Sequence, residues 1–241
     1  MKNSFVIAFL SIVVAPFGLF CLAYVFIFLG RADFLSAMVA LGAAVFALGF
    51  VAMLATVFSG KVTPRVERDE AGLLIRPDRK VDTLLMVSTC GGFLAMALYA
   101  VLTPLDLLAI RAPRGNDQYF VIFCAIATLV GVFSLRQIVR QRGTSTVRVT
   151  GGGLVSGNTI TFVKRTWDEV TDIDDRPTPG RQPNGATYIR TADGHTRELP
   201  SSWYTPGGRT LHAWLRFYWQ HPESRDELTD DRAVRRLEAR V

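Results

Sequence analysis

Apolar positions follow two different patterns along this chain. Through the first 135 residues they gather into four uncharged runs, Asn3 to Gly30, Phe34 to Gly60, Thr83 to Leu105 and Gln118 to Leu135. A helix rises about 1.5 Å per residue, so each run is long enough to cross a hydrocarbon layer about 30 Å thick. The first run follows Lys2 as a signal peptide would. It is nevertheless much longer than a signal core of about 7–15 residues, lacks a small-residue exit, and is followed at once by a second apolar run. It reads as a first transmembrane helix, with Pro16 and Gly18 near its middle as a kink that neighbouring helices can accommodate.

Past residue 143 the period shortens to two. Segments rich in Thr, Val and Ile at Ser145 to Thr150, Thr159 to Lys164, Glu169 to Ile173 and Ala186 to Thr191 are separated by Gly151-Gly152-Gly153, Gly157-Asn158 and the Pro177 to Gly180 cluster. Asp193-Gly194 between Ile189-Arg190 and Thr196-Arg197 predicts a tight hairpin, because both central positions of that turn favour positive φ. The period then lengthens again. Leu211, Trp214, Leu215 and Tyr218 form one apolar stripe of a helix ended by His221-Pro222, and Thr229-Asp230-Asp231 caps a last short helix carrying Val234 and Leu237.

Val66 with Gly72-Leu73 and Val147 with Gly153-Leu154 share one spacing, offset by 81 residues. The same offset carries the first two apolar runs onto the last two. The chain therefore reads as a duplicated unit of two helices and a β-element, the first β-element reduced to a hairpin and the two copies parallel.

Charge sets orientation. Lys2, the link between the second and third runs (Lys61, Arg65, Arg68, Arg76, Arg79, Lys80) and the exit of the fourth (Arg136, Arg140, Arg142) hold ten basic residues. The other two links hold three, Arg31, Arg111 and Arg114. The positive-inside rule then puts both termini, the central link and the C-terminal domain in the cytoplasm. The net charge of +6 is accounted for by topology, and no basic helix or interleaved aromatic and Arg pattern points to nucleic acid. With 49% hydrophobic residues and 20% charged, the composition excludes a secreted or cytosolic enzyme. Cys21, Cys90 and Cys124 all fall inside apolar runs and read as packing residues, neither a disulfide framework nor a zinc site.

A strand ending in a Gly-Leu turn, a second hairpin strand, Arg165-Thr166-Trp167-Asp168-Glu169-Val170, the Thr191-Ala192-Asp193-Gly194 hairpin, Leu199-Pro200 and a terminal amphipathic helix follow one another in this order. The order resembles bacterial pleckstrin-homology-like (PH-like) domains appended to membrane spans in actinobacterial proteins. The run Leu215 to Glu223 is also similar to these proteins. The resemblance covers roughly Ser145 to Leu228. It implies a bent β-sandwich closed at one end by the C-terminal helix, and an adaptor role in protein or lipid contact. The expected division is residues 1–143 as a four-helix transmembrane region with a hairpin at 62–80, residues 144–228 as the PH-like domain, and residues 229–241 as a helical tail.

No catalytic constellation stands out. Asp168, Glu169, Asp172, Asp174 and Asp175 lack the spacing of a calcium loop, Gly151-Gly152-Gly153 is not followed by the Lys-Ser/Thr of a phosphate cradle, and His195, His212 and His221 have no partner at ligand spacing. No cofactor, metal or catalytic residue is expected. The uncharged interiors of the spans argue against a coupled transporter. The expected function is a non-catalytic scaffold or accessory subunit of an assembly in a bacterial inner membrane, with membrane lipids and other membrane subunits as partners. The alternative is a lipid-handling or transport component with a cavity between the spans. Arg136, Arg140, Arg142, Arg76, Arg79 and Lys80 are the expected contacts to anionic lipid. Ala40 with Ala44, Gly91 with Ala95 and Ala127 with Gly131 are the expected close helix contacts, and Trp203 and Trp219 the expected protein-contact residues.

Overall fold

The structure is a computed structural model describing residues 2–69, 72–110, 117–141, 143–158, 162–177 and 182–239. Arg111, Arg114 and Arg142 lie outside the described residues, as do residues 159–161 of the expected second strand and Thr178 to Gly180 of the proline cluster. The chain divides into two compact units, Met1–Leu54 with Thr83–Arg140, and Ala55–Asp82 with Gln141–Val241.

The first unit consists of four long apolar helices. They are α1 (Lys2–Gly30), α2 (Phe34–Phe58), α3 (Arg79–Leu102) and α4 (Asp117–Gln141), each close to one of the four uncharged runs. All four are long and apolar enough to cross a membrane. Pro16 sits inside α1. Neighbouring helices approach closely where one of them has no side chain. A Cβ on Gly18 would lie 2.8 Å from Leu48 of α2, one on Gly42 2.8 Å from the Gly91 carbonyl oxygen of α3, and one on Gly131 of α4 2.4 Å from the Phe93 ring of α3. Ser88 Oγ adds a hydrogen bond across the α2–α3 seam, donated to the Phe46 carbonyl oxygen at 2.7 Å. Tyr99 and Phe120 meet edge to face at 5.1 Å between α3 and α4.

The second unit is built on two antiparallel sheets. One has the order β1 (Arg65–Asp69), β2 (Gly72–Arg76), β3 (Ser145–Thr150), β4 (Gly153–Asn158), β5 (Phe162–Thr166); the other has the order β6 (Val170–Asp174), β7 (Thr187–Thr191), β8 (Thr196–Leu199). The hairpin β1–β2 is therefore part of this sheet and not an appendage of the helices. Leu73 stands opposite Val149 and Ile75 opposite Val147, and all four side chains are buried on one face. That alternation is what period two requires of a half-buried sheet.

Two helices, α5 (Arg209–Gln220) and α6 (Asp231–Glu238), complete the unit. The stripe Leu211, Trp214, Leu215 and Tyr218 is fully buried, as its spacing predicts. The segment expected as a tail belongs to the same core. Ala233 and Leu237 of α6 are buried, Trp214 Nε1 donates to the Ala233 carbonyl oxygen at 3.0 Å, and Asp230 caps the helix by accepting from the Arg232 N–H. Glu227 receives both Arg236 donors, at 2.9 and 3.0 Å, and the Tyr218 hydroxyl at 3.0 Å. Phe217 lies under the Arg236 guanidinium, 4.1 Å from its ring centre.

The Trp167-Asp168-Glu169-Val170 block forms the corner between the sheets. It turns as a short 3-10 helix where the sequence suggested the start of a strand. The Thr166 N–H donates to Glu169, and the buried Trp167 indole N–H to the Thr150 carbonyl oxygen. Element boundaries also follow the 81-residue offset: β1 and β2 fall on β3 and β4, and α2 on α4, to within about two residues. The glycines that start β2 and β4 meet the same steric demand. A Cβ on Gly72 would lie 2.3 Å from the Val149 carbonyl oxygen, and one on Gly153 2.2 Å from that of Arg165.

Candidate functional site

One polar cluster of the sheet unit, centred on Asp82 and Asp78, was not visible in the sequence. Asp82, in the first turn of α3, has a side chain 12% exposed. It accepts from the Thr144 N–H at 2.8 Å, the Thr144 hydroxyl at 2.6 Å and Arg65 Nη2 at 2.6 Å. Asp78 accepts from the Thr63 N–H and hydroxyl and from the Lys80 N–H, while its own N–H donates to the Trp203 carbonyl oxygen. Burial pushes the Asp78 carboxyl up, but the hydrogen bonds from Thr63, Lys80 and Val81 outweigh it and hold the group below the usual carboxylate range. Asp82 thus fastens β1 to the residue before β3, and Asp78 fastens the end of the hairpin to the residues that precede it and to Trp203. A helix N-terminus favours such acceptors, because its first N–H groups have no partner in the helix.

The expected lipid-contact residues separate. Arg79, Lys80, Arg136 and Arg140 are exposed. Arg76 is not available as a surface charge: it is buried on β2 and ion-paired with Glu67 of β1 at 3.3 Å, because its strand position places it inside the five-stranded sheet. Arg65 and Arg68 of the same hairpin are likewise engaged, with Asp82 and Asp231.

The two tryptophans expected to face a partner are half-buried and packed on the core of their own unit. The Trp219 indole N–H donates to the Val170 carbonyl oxygen at 3.0 Å, so its polar edge is committed within the fold. Of the small residues, Ala40, Ala44, Gly91 and Ala95 are buried in the helical unit, the last two against Gly42 of α2. Gly131 lies beneath Phe93, and Ala127 is half-buried. Cys21 and Cys124 are buried and Cys90 exposed, all three free.

The acidic segment is an ion-paired strand end. Arg190 of β7 reaches both Asp172 and Asp174 of β6, the latter at 3.5 Å, and Asp175 pairs with Arg176. Among the described residues no three His, Cys, Asp or Glu side chains gather as a metal site. His195 is exposed in its turn, and His221 stacks on the Phe217 ring.

Two open clefts mark the sheet unit. One, of about 340 Å³, is lined by Asp175, Gly185, Pro206, Gly208, Arg209 and His212 among others. Among the described residues His212 Nδ1 is buried there without a hydrogen-bond partner, and burial pushes the imidazole pKa down. The other, of about 360 Å³, lies between β4–β5 and β7–β8 and is lined by Leu154, Ser156, Val163, Arg165, Ile189 and Arg197 with residues of the Gly194 turn. Its arginines were readable in principle. Period two places Arg197 on the same face as buried Leu199, and the strand register sets Arg165 opposite Leu154 and Arg197 opposite Ile189.

Comparison of the chain with protein-family models, with curated proteins and with solved structures finds no match.

Proposed function

We propose that the chain is a multi-pass protein of a bacterial inner membrane, with both termini and the sheet unit in the cytoplasm, and that it acts as a non-catalytic scaffold or accessory subunit of a larger membrane assembly. The observation that carries this reading is the outer surface of the helical unit. Ile12, Phe20 and Phe26 of α1 and Phe123, Leu129 and Phe133 of α4 are large, apolar and exposed, on helices whose interiors hold no charged residue. Water does not tolerate so much contiguous hydrocarbon on a soluble protein, whereas lipid or an apolar partner does. The ten-to-three distribution of basic residues supports the cytoplasmic placement.

The sheet unit supports an adaptor role. Two antiparallel sheets closed by α5 suit the PH-like reading, as does the corner built on Trp167 to Val170. In this reading, exposed Arg79, Lys80, Arg136 and Arg140 contact anionic headgroups, each contributing about 1 kcal/mol. The rival function is lipid handling, with an acyl chain held between the spans. Native mass spectrometry of the chain extracted from its own membranes separates the two. A stoichiometric foreign subunit is expected; a monomer carrying lipid and no partner would favour the rival.

A further inference from the structure

One face of α4 changes character at its C-terminal end. Ile122, Ile126, Leu129 and Phe133 recur at steps of four and three residues, and each is more than half exposed. Continuing the same steps reaches Arg136 and Arg140, both exposed. The face points directly away from the bundle, because buried Cys124, Gly131 and Ile138 recur at seven-residue steps on the opposite side of the helix. At its other end the stripe begins with exposed Tyr119, and the rise from there to Arg136 is about 26 Å, close to the thickness of a hydrocarbon layer.

An aromatic ring at one boundary and two guanidinium groups at the other are the anchors that suit the two membrane interfaces. The arginines are not committed within their own helix, whose single carboxylate, Asp117, is at the far end. Among the described residues neither pairs with a carboxylate from elsewhere. They stand four residues apart, so the two groups lie one turn from each other on one face, a separation that lets both reach a single phosphate. A second copy of the chain is a poor occupant. Two copies inserted with the same orientation and joined through this face would set Arg136 and Arg140 against their own counterparts, like charge against like. An anion complements the same pair.

We propose that this face binds an anionic glycerophospholipid in the leaflet at the C-terminal end of α4, its phosphate held by Arg136 and Arg140 together and an acyl chain laid along Phe133 and Leu129. The proposal rests on the membrane-spanning reading and deepens it by naming the lipid class and the residues that select it. A zwitterionic phospholipid offers the same chains and the same phosphate, but it carries an ammonium group that the two guanidinium groups repel. Selection is therefore by headgroup charge.

The test is native mass spectrometry of the full chain in maltoside micelles, titrated with dioleoyl phosphatidylglycerol or dioleoyl phosphatidylcholine. The first phosphatidylglycerol is expected to bind about fivefold or more tightly than the first phosphatidylcholine. That preference should be abolished in R136Q/R140Q and largely kept in R79Q/K80Q, which removes the same charge. A phosphatidylglycerol with a diazirine in its acyl chain should label α4 within 129–140 of the unaltered chain, which decides the matter even if R136Q/R140Q does not fold. The proposal is overturned by equal affinity for the two lipids, by a loss in R79Q/K80Q as large as that in R136Q/R140Q, or by labelling confined to other helices. A disulfide-linked dimer of F133C in a chain without its native cysteines would seat a second copy on the face and overturn it too. So would a benzophenone at position 133 that captures a protein in native membranes and no lipid. These outcomes leave the membrane reading standing, whereas recovery of the chain in the soluble fraction removes that reading itself.

Discussion

Asp82 stands at the start of an apolar run and, by charge alone, reads as one more polar residue at a helix end. In the fold its carboxylate receives three donors from segments far apart in sequence, Arg65 and two groups of Thr144. Removing it leaves the Thr144 N–H and hydroxyl buried without their acceptor. D82A is therefore expected to cost about 2–3 kcal/mol. Tryptophan emission is a clean reporter of this loss, because all four tryptophans, Trp167, Trp203, Trp214 and Trp219, belong to the sheet unit. Acid acts on the same unit. Hydrogen bonding from Arg236 lowers the Glu227 carboxyl, and that of Asp78 is lowered as well. A carboxyl held below its unfolded value contributes stability above the unfolded value, and this contribution is lost as pH falls through the folded one. The urea midpoint read by tryptophan emission should thus be flat near neutrality and decline as pH drops below about 5. In E227Q the acid decline should be shallower, from a lower starting midpoint.

At the scale of elements, α6 is the segment whose importance is easiest to underestimate. Deleting residues 231–241 removes buried Ala233 and Leu237, the Arg236 partner of Glu227 and the acceptor of the Trp214 indole. The expected loss is about 3–5 kcal/mol, with emission red-shifted as water reaches Trp214. Among the long helices, G91L sets a side chain against Val45 Cγ1 at 2.8 Å and the Gly42 carbonyl oxygen at 3.0 Å. A lower thermal midpoint in helical circular dichroism should follow, by about 1–3 kcal/mol of overpacking. The four apolar helices, α5 and α6 were legible from period and length, and the β7–β8 hairpin from Asp193-Gly194. The docking of β2 on β3 was not. Periodicity shows that Leu73 and Ile75 share a face, but nothing local names Val149 and Val147 as their partners some 70 residues on. For the same reason Arg76 read as a surface charge and Trp203 and Trp219 as exposed: β2 lies inside a sheet that β3 extends, and the two tryptophans pack partly on a core drawn from elements remote in sequence. The Arg197 cleft was half legible, its inward face following from alternation while its neighbours depend on how two sheets come together.

On the scale of the whole molecule, the chain combines a helical unit whose outer surface is hydrocarbon with a sheet unit that closes its own core. The first suits a bilayer and the second suits water, so the account rests on a topology in which the loop between α1 and α2 and the turns of the sheet unit are on opposite sides of a membrane. Single cysteines placed at exposed Arg31 and Ala192, in a chain with Cys21, Cys90 and Cys124 replaced by alanine, test this with a membrane-impermeant thiol reagent. In intact spheroplasts R31C should be labelled and A192C protected, A192C reacting only after lysis. Labelling of A192C from outside the intact cell, or recovery of the chain in the soluble fraction, would contradict the account.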